Sequence, residues 1–320
     1  YDKTAFEKML EIKGDSDHTK LIDMLTDLND YSIGIEDVLK EHFDEENIVY
    51  WMAFQILMGN VDTQNRNVYL YSPLNSDIWY FIAWDNDGCL MRPEYELRNF
   101  SDQNSWEKGI SNYWGNILFQ RCLKSRSFRE KLNDAILDLR EYLNKDMLTS
   151  KIESYKNVLK PYLYLMPDAE YEPLTSEQYD QIAASLPDEI EKNYQLYLES
   201  LETPMPFYIG VPTIDGDKLK FNWDVSYDLD AEDITYSVEV AGDYLFRDVI
   251  YQNTTLTVPE AEMDLPKAGQ YFVRVRATNT SGKTQDAFDY YVTDEGKYYG
   301  MRCFYITEDS TVEEDDYEEG

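Results

Sequence analysis

Three carboxylates and one amide stand in an order that suits metal-assisted phosphoryl transfer. Asp62 is followed five positions later by Asn67, and two short runs further on comes the acidic cluster Asp85-Asn86-Asp87. Phosphoryl transfer needs one carboxylate near the attacking hydroxyl and further oxygen ligands on magnesium. Two carboxylates about 4 Å apart repel by about 1 kcal/mol in water and by about 4 kcal/mol at an effective dielectric of 20. A bound cation relieves that cost.

The sequence between these residues supplies a way to bring them together. Val68-Tyr69-Leu70-Tyr71 and Ile78-Trp79-Tyr80-Phe81-Ile82-Ala83-Trp84 are rich in β-branched and aromatic residues, and Pro73-Leu74-Asn75-Ser76-Asp77 reads as a turn. A hairpin would return Asp85 beside Asn67. Upstream, Glu45 to Met58 reads as a buried helix whose broad, mostly apolar face carries Ile48, Trp51, Met52, Gln55, Ile56 and Leu57. Gly59 ends it, so a packed helix delivers Asn60 and Asp62 to a fixed place.

The order Asp-x4-Asn, strand, turn, strand, Asp resembles a protein-kinase catalytic loop and its metal-binding Asp, with Asn60-Val61 in place of the usual His-Arg. Asn60-Val61-Asp62, Asn67-Val68-Tyr69-Leu70-Tyr71 and Trp84-Asp85-Asn86-Asp87 resemble the signature of the spore-coat kinase CotH family, approximately Asn-x-Asp, Asn-Tyr-Tyr-Leu-Tyr and Trp-Asp-x-Asp. The similarity continues through Asn116-Ile117-Leu118 and Ser127-Phe128-Arg129-Glu130, and covers roughly the first 200 residues. One departure is Gly88-Cys89-Leu90, where the family often has Thr-Phe-Gly.

The resemblance implies transfer of the ATP γ-phosphoryl group to a serine or threonine of a partner protein, with ATP and magnesium or manganese as cofactors. Asp62 would orient the substrate hydroxyl or accept its proton. Asn67 and Asp85 would hold the metal, and Asp87 would support the metal or phosphate network. Kinase-like folds also cover the nucleotide with an N-terminal lobe that carries a Gly-rich loop and a Lys-Glu pair. Before Asp62 this chain has only Gly14, Gly34 and Gly59, and no Val-Ala-x-Lys strand. The expectation is that this lobe lies upstream, that the chain begins near the hinge, and that it is inactive alone.

Composition narrows the partners. The chain has 320 residues, 43% hydrophobic, enough for about two domains, and a net charge of −34. That charge disfavours nucleic acid and anionic membranes as partners, because binding phosphate needs cationic neutralisation. A basic, Ser/Thr-containing protein substrate and divalent cations fit better. Cys89, Cys122 and Cys303 are too few and scattered for a disulfide framework or zinc site, and His18 and His42 read as packing or helix-surface residues. There is no apolar run of the roughly 18 residues a membrane span needs, and no signal-peptide pattern at the start. The family and the appended β-module imply a bacterial protein in an extracytoplasmic setting, secreted or at the cell surface, with the spore coat as the alternative.

The fold class expected is α+β multidomain: a mainly helical kinase-like C-lobe with a small β-hairpin, then an all-β immunoglobulin- or fibronectin-like sandwich. The domains expected are 1–202, 203–306 and an acidic, disordered tail at 307–320. Helical periodicity marks His18 to Leu28, Trp106 to Leu123, Phe128 to Leu143 and Leu148 to Leu159. An earlier stretch with Ala5, Met9, Leu10 and Ile12 also reads as helical. Thr175-x-x-Gln178 suits a capping box, and Pro187 the first turn of a helix running toward Leu201. After Thr203-Pro204-Met205-Pro206 the period changes to two, with strands at 219–223, 234–240, 255–258 and 271–277, consistent with an antiparallel sandwich of about seven strands. Tyr290 to Ile306 can add or extend strands. Trp223 and the run from Tyr271 resemble the core Trp and tyrosine corner of a fibronectin type III module.

Plainer readings stand beside these. Asp85, Asp87, Gly88 and Glu94 match half of a calcium loop, but Ala83 holds its first ligand position and a strand precedes it. Arg66 reads as a local carboxylate partner, Asn65 as a turn residue, and Tyr69-Leu70-Tyr71 as core and hairpin packing. Asn253 and Asn279 begin glycosylation sequons that turn positions explain. The alternative function is a non-catalytic surface scaffold whose adhesive sandwich binds polysaccharide or protein.

Overall fold

The computed structural model describes residues 17–63, 67–90, 106–294 and 296–314. It is α+β, helical in its first part and β-rich in its second. The chain divides into two compact units, one of Tyr1–Gln55, Asp62–Asp87 and Asn116–Ala184, the other of Ile56–Val61, Gly88–Gly115 and Ser185–Gly320. The expected N-terminal helix around Ala5 to Ile12 lies outside the described residues.

In the first unit, α1 (Thr19–Asn29), α2 (Ile35–His42) and α3 (Glu45–Leu57) come in succession. Asp44 caps α3 by accepting the Asn47 N–H at 2.9 Å. Ile48, Val49, Met52 and Ala53 are all buried, so α3 is enclosed rather than laid on a surface. Strands β1 (Tyr69–Tyr71) and β2 (Tyr80–Ile82) form the expected antiparallel hairpin, with Tyr69 opposite Ile82 and Tyr71 opposite Tyr80. β2 is shorter than the apolar run that contains it because β1 offers only three partners; Trp79 bridges to Phe43 instead.

Asn47 ties this hairpin to α3. Its Oδ1 accepts the Phe81 N–H at 2.7 Å and its Nδ2 donates to the Phe81 carbonyl at 3.2 Å. One side chain thus does for β2 what a third strand would. Phe81 is buried, with its ring centroid 4.7 Å from Trp51 and 5.8 Å from Phe119. Tyr69 and Tyr71 correct the reading of that strand as core: both are exposed, because strand alternation sends only Leu70 inward.

The unit is completed by α4 (Ile117–Lys124), α5 (Arg126–Tyr142), α6 (Lys145–Leu163) and α7 (Ser176–Ser185). The helix expected from Trp106 starts only at Ile117, since Gly109 takes φ +51° and the Asn116 side chain caps α4 by accepting the Leu118 N–H at 3.0 Å. Arg121 of α4 is buried and donates to the carbonyls of Asp27, Leu28, Asp30 and Ile33, which closes the C-terminus of α1. His18 and His42 are both buried, and His42 bonds Asp27 at 2.8 Å. The capping box forms: Thr175 N–H donates to Gln178 Oε1 at 2.8 Å, and Gln178 N–H to Thr175 Oγ1 at 3.2 Å.

In the second unit, a single turn at Leu186–Asp188 containing Pro187 leads into α8 (Glu189–Glu202). One sheet has the order β3 (Thr213–Asp215), β4 (Lys218–Asn222), β7 (Glu260–Asp264). The other has the order β13 (Val312–Glu314), β12 (Met301–Ile306), β8 (Gly269–Asn279), β5 (Ile234–Ala241), β6 (Val249–Leu256), with β9 (Thr284–Asp286) paired to β8. Phe221, Trp223, Tyr236, Val238, Val275 and Phe304 share their core. Tyr271, near the start of β8, donates its hydroxyl to the Lys267 carbonyl at 3.0 Å. Between β9 and β12 a hairpin of β10 (Tyr290–Thr293) and β11 (Gly296–Tyr299) brings Tyr291 and Tyr298 against Tyr244, and Tyr291 against Phe272.

Three expectations for the β-rich part change. The strand expected at 255–258 lies mostly upstream, at Val249–Leu256, because the eight-residue β5 takes a partner of matching length. Part of the acidic tail is ordered: Val312 pairs with Ile306, and Thr307 Oγ1 accepts the Thr311 N–H at 3.0 Å across the turn. Residues 315–320 lie outside the described residues. Of the sequon asparagines, Asn253 is not a turn residue but lies within β6. Asn279 ends β8 and opens the turn that follows, accepting the Gly282 N–H at 3.0 Å on its carbonyl; it is buried, with its amide on the Glu202 carbonyl and Asp228 at 3.0 and 2.9 Å.

Candidate functional site

Gly59, at φ +62°, turns the chain out of α3, and buried Asn60 leads into a single 3-10 turn, Val61–Thr63, that presents Asp62. Asn67 donates its Nδ2 to Asp62 Oδ2 at 2.8 Å. That bond uses the amide nitrogen, which leaves the type of atom a hard cation takes, Oδ1, on the other arm of the amide. Both residues are half-buried.

From Asn67 the chain enters β1, crosses to β2 and emerges toward Asp85. Because Tyr69 pairs with Ile82, Asn67 and Asp85 flank the same end of the hairpin. Asp85 and Asp87 are exposed, and Asp87 sits in the turn Asn86–Gly88. Asn67 and Asp85 both have left-handed backbones, with φ +51° and +48°. Such conformations cost of order 1–2 kcal/mol outside glycine, less for Asn and Asp, and concentrate at functional sites. Asp62, Asn67, Asp85 and Asp87 belong to one compact unit.

Buried or half-buried amides hold backbone within each unit. Gln55 Nε2 donates to Asn86 Oδ1 at 3.1 Å. Asn112 Nδ2 donates to the Val61 carbonyl at 3.2 Å, and Asn193 Nδ2 to the Leu57 carbonyl at 2.9 Å. The Leu90 N–H bonds the Met58 carbonyl at 2.7 Å. Sequence reasoning missed these amides. In the sequence Gln55 falls on the apolar face of its helix, and Asn112 falls within the helical periodicity of Trp106 to Leu123, where the structure has a single turn, Ser111–Tyr113. The one available signal was a polar amide in an otherwise apolar run.

The donors at the site are carboxylate and amide oxygens, the hard ligands that suit magnesium or manganese. Among the described residues no group of three or more His, Cys, Asp or Glu side chains is arranged to hold a metal. Magnesium in phosphoryl-transfer sites is usually held by one or two carboxylates together with substrate phosphates, so Asn67 and Asp85 fit that ion without a closed cage. The segment before Asp85 is a strand, as the argument against a calcium loop expected, and Glu94 lies outside the described residues. None of the three cysteines is joined in a disulfide, and burial pushes the Cys122 thiol far up. Among the described residues no helix is long and apolar enough to cross a membrane.

The family described as CotH kinase protein matches residues 1–197. Among solved structures, the twitchin kinase region from C. elegans is 16% identical, with a TM-score of 0.22, over 30% of this chain. This chain spans 20% of that structure's length. No curated protein matches.

Proposed function

The chain belongs to the CotH kinase protein family, and from that premise we propose that it transfers the γ-phosphoryl group of ATP to a serine or threonine hydroxyl of a partner protein. The observation that carries the reading is the 2.8 Å bond from Asn67 to Asp62 at the end of the hairpin that returns Asp85. Asp62 orients the acceptor hydroxyl and takes its proton as the oxygen attacks. The Asn67 amide fixes which way the Asp62 carboxylate faces. Asn67 Oδ1 and Asp85 would hold magnesium or manganese, with Asp87 supporting the metal or phosphate network. When bound, the ion supplies positive charge against the phosphate oxygens.

The net charge of −34 favours a basic acceptor segment, drawn in by long-range attraction. Residues 1–202 carry the kinase motifs. Residues 203–306 are proposed as a fibronectin type III-like appendage, on the strength of two antiparallel sheets, Trp223 in their core and the Tyr271 corner bond. That module suits a protein or polysaccharide at a cell surface, and the whole reading suits an extracytoplasmic or spore-coat setting.

The test is phosphate transfer from labelled ATP to a basic Ser/Thr peptide by the full-length protein, with magnesium or manganese. Asp62→Asn is expected to lower turnover by about 10²–10⁴-fold, the usual loss for a general base, and Asp85→Asn to reduce it strongly while circular dichroism stays unchanged. No turnover in the parent would favour the non-catalytic scaffold, and unchanged turnover in both variants would overturn the roles given to Asp62 and Asp85.

A further inference from the structure

Gln55 is out of keeping with its helix. Met52, Ala53, Ile56 and Leu57 around it are buried and apolar, yet here α3 carries an amide that is 1% exposed. An amide at that depth is costly unless its polar atoms find partners. Gln55 Nε2 donates to Asn86 Oδ1 at 3.1 Å, and Asn86 is the residue between Asp85 and Asp87.

The consequence falls on Asp85. Its φ of +48° is left-handed, a conformation that Asp adopts more readily than most residues but still at some cost. Pairing with β1 holds the chain only as far as Ile82, three residues short of Asp85. The Gln55 bond takes hold immediately beyond Asp85. The carboxylate therefore sits on a short link, with the Trp84 ring packed on Tyr69 just before it at a centroid distance of 4.8 Å and a buried helical amide holding Asn86 just after it.

We infer that Gln55 is a positioning residue: by holding Asn86 it fixes the Asp85 backbone and preorganises that carboxylate for a divalent cation. This rests on the reading of Asp85 as a metal ligand. Groups that orient a ligand from behind commonly change metal affinity by about 10- to 100-fold when removed. A purely structural Gln55 would instead affect stability and leave affinity alone.

The experiment titrates manganese into the full-length protein with a non-hydrolysable ATP analogue, reading free manganese by electron paramagnetic resonance well below the melting temperature of each variant. Gln55→Leu is expected to raise the manganese Kd by about 10- to 100-fold. Asn86→Ala, which breaks the same bond from the half-buried side, is expected to do likewise, and it decides the matter if Gln55→Leu does not fold. The double variant should be no weaker than the weaker single one, because both remove one interaction. Asp85→Asn separates the two levels of the argument. If it leaves manganese binding intact, or if the parent protein binds none, the metal reading itself fails. If it abolishes binding while Gln55→Leu and Asn86→Ala leave Kd unchanged, or act additively, the positioning role alone is overturned.

Discussion

Replacing Asn47 by leucine should loosen the hairpin while leaving its helix formed. Leucine keeps the branched arrangement of heavy atoms and raises helix propensity. What it removes is the pair of bonds to Phe81, at 2.7 Å to the N–H and 3.2 Å to the carbonyl. Each bond is worth about 0.5–1.5 kcal/mol net, and a buried group left unpaired costs about 1–3 kcal/mol. Phe81 is only 4% exposed, so water reaches its freed N–H poorly. The carbonyl bond is the longer and weaker of the two. Together they give a local loss of about 2–4 kcal/mol. A two-stranded hairpin is marginal by itself, so the loss should appear as local opening. Hydrogen exchange at the Phe81 amide should accelerate by about 30- to 700-fold, at about 1.4 kcal/mol per factor of ten. Amides in the middle of α5 serve as the internal control. Acceleration of less than threefold, or equal acceleration in α5, would refute the claim that Asn47 stands in for a third strand.

Two further outcomes follow from local geometry. Gly59→Ala places a Cβ 2.6 Å from Asn193 Nδ2 at φ +62°, so it should cost at least the roughly 1–2 kcal/mol of a left-handed non-glycine residue; an unchanged denaturant midpoint would contradict this. Two carboxyls should titrate on opposite sides of the ordinary 3.8. Asp243 is held below it by N–H bonds from Asp248, Leu245 and Arg247, against a smaller opposing effect of desolvation, and Asp286 is pushed above it by burial, against the pull of Arg276. The signs differ accordingly. The stabilisation from Asp243 is complete above 3.8 and lost as pH falls through its depressed folded value; the contribution of Asp286 is complete below 3.8 and lost as pH rises through its raised one. Carboxyl resonances followed by NMR check both, and midpoints on the same side of 3.8 would contradict the assignment.

Local chemistry was legible in the sequence; long-range satisfaction of polar groups was not. The strand, turn, strand pattern between Asn67 and Asp85 announces a hairpin through β-propensity, and Thr175-x-x-Gln178 announces a cap through two bonds that span three residues. In contrast, the clamp from Asn47 to Phe81 crosses 34 residues, and the bond from Asn193 to Leu57 crosses 136. No periodicity encodes such partners. The same limit hid the tail strand, whose Glu313 and Glu314 read as solvated charge until β12 offers backbone partners to Val312–Glu314. It also hid the break at Gly109, where apolar spacing around Trp106 and Ile110 imitates a helix that the backbone does not form.

The central claim is that Asp62, Asn67 and Asp85 make one phosphoryl-transfer site. Its most direct test is a crystal of the full-length protein soaked with manganese and a non-hydrolysable ATP analogue, with the metal located by anomalous scattering. The account predicts a manganese ion about 2.0–2.3 Å from both Asn67 Oδ1 and an Asp85 carboxylate oxygen, the range of hard-cation contacts to oxygen, with Asp62 facing the terminal phosphate. A metal bound elsewhere, or Asp62 and Asp85 on opposite faces of the hairpin end, would contradict it.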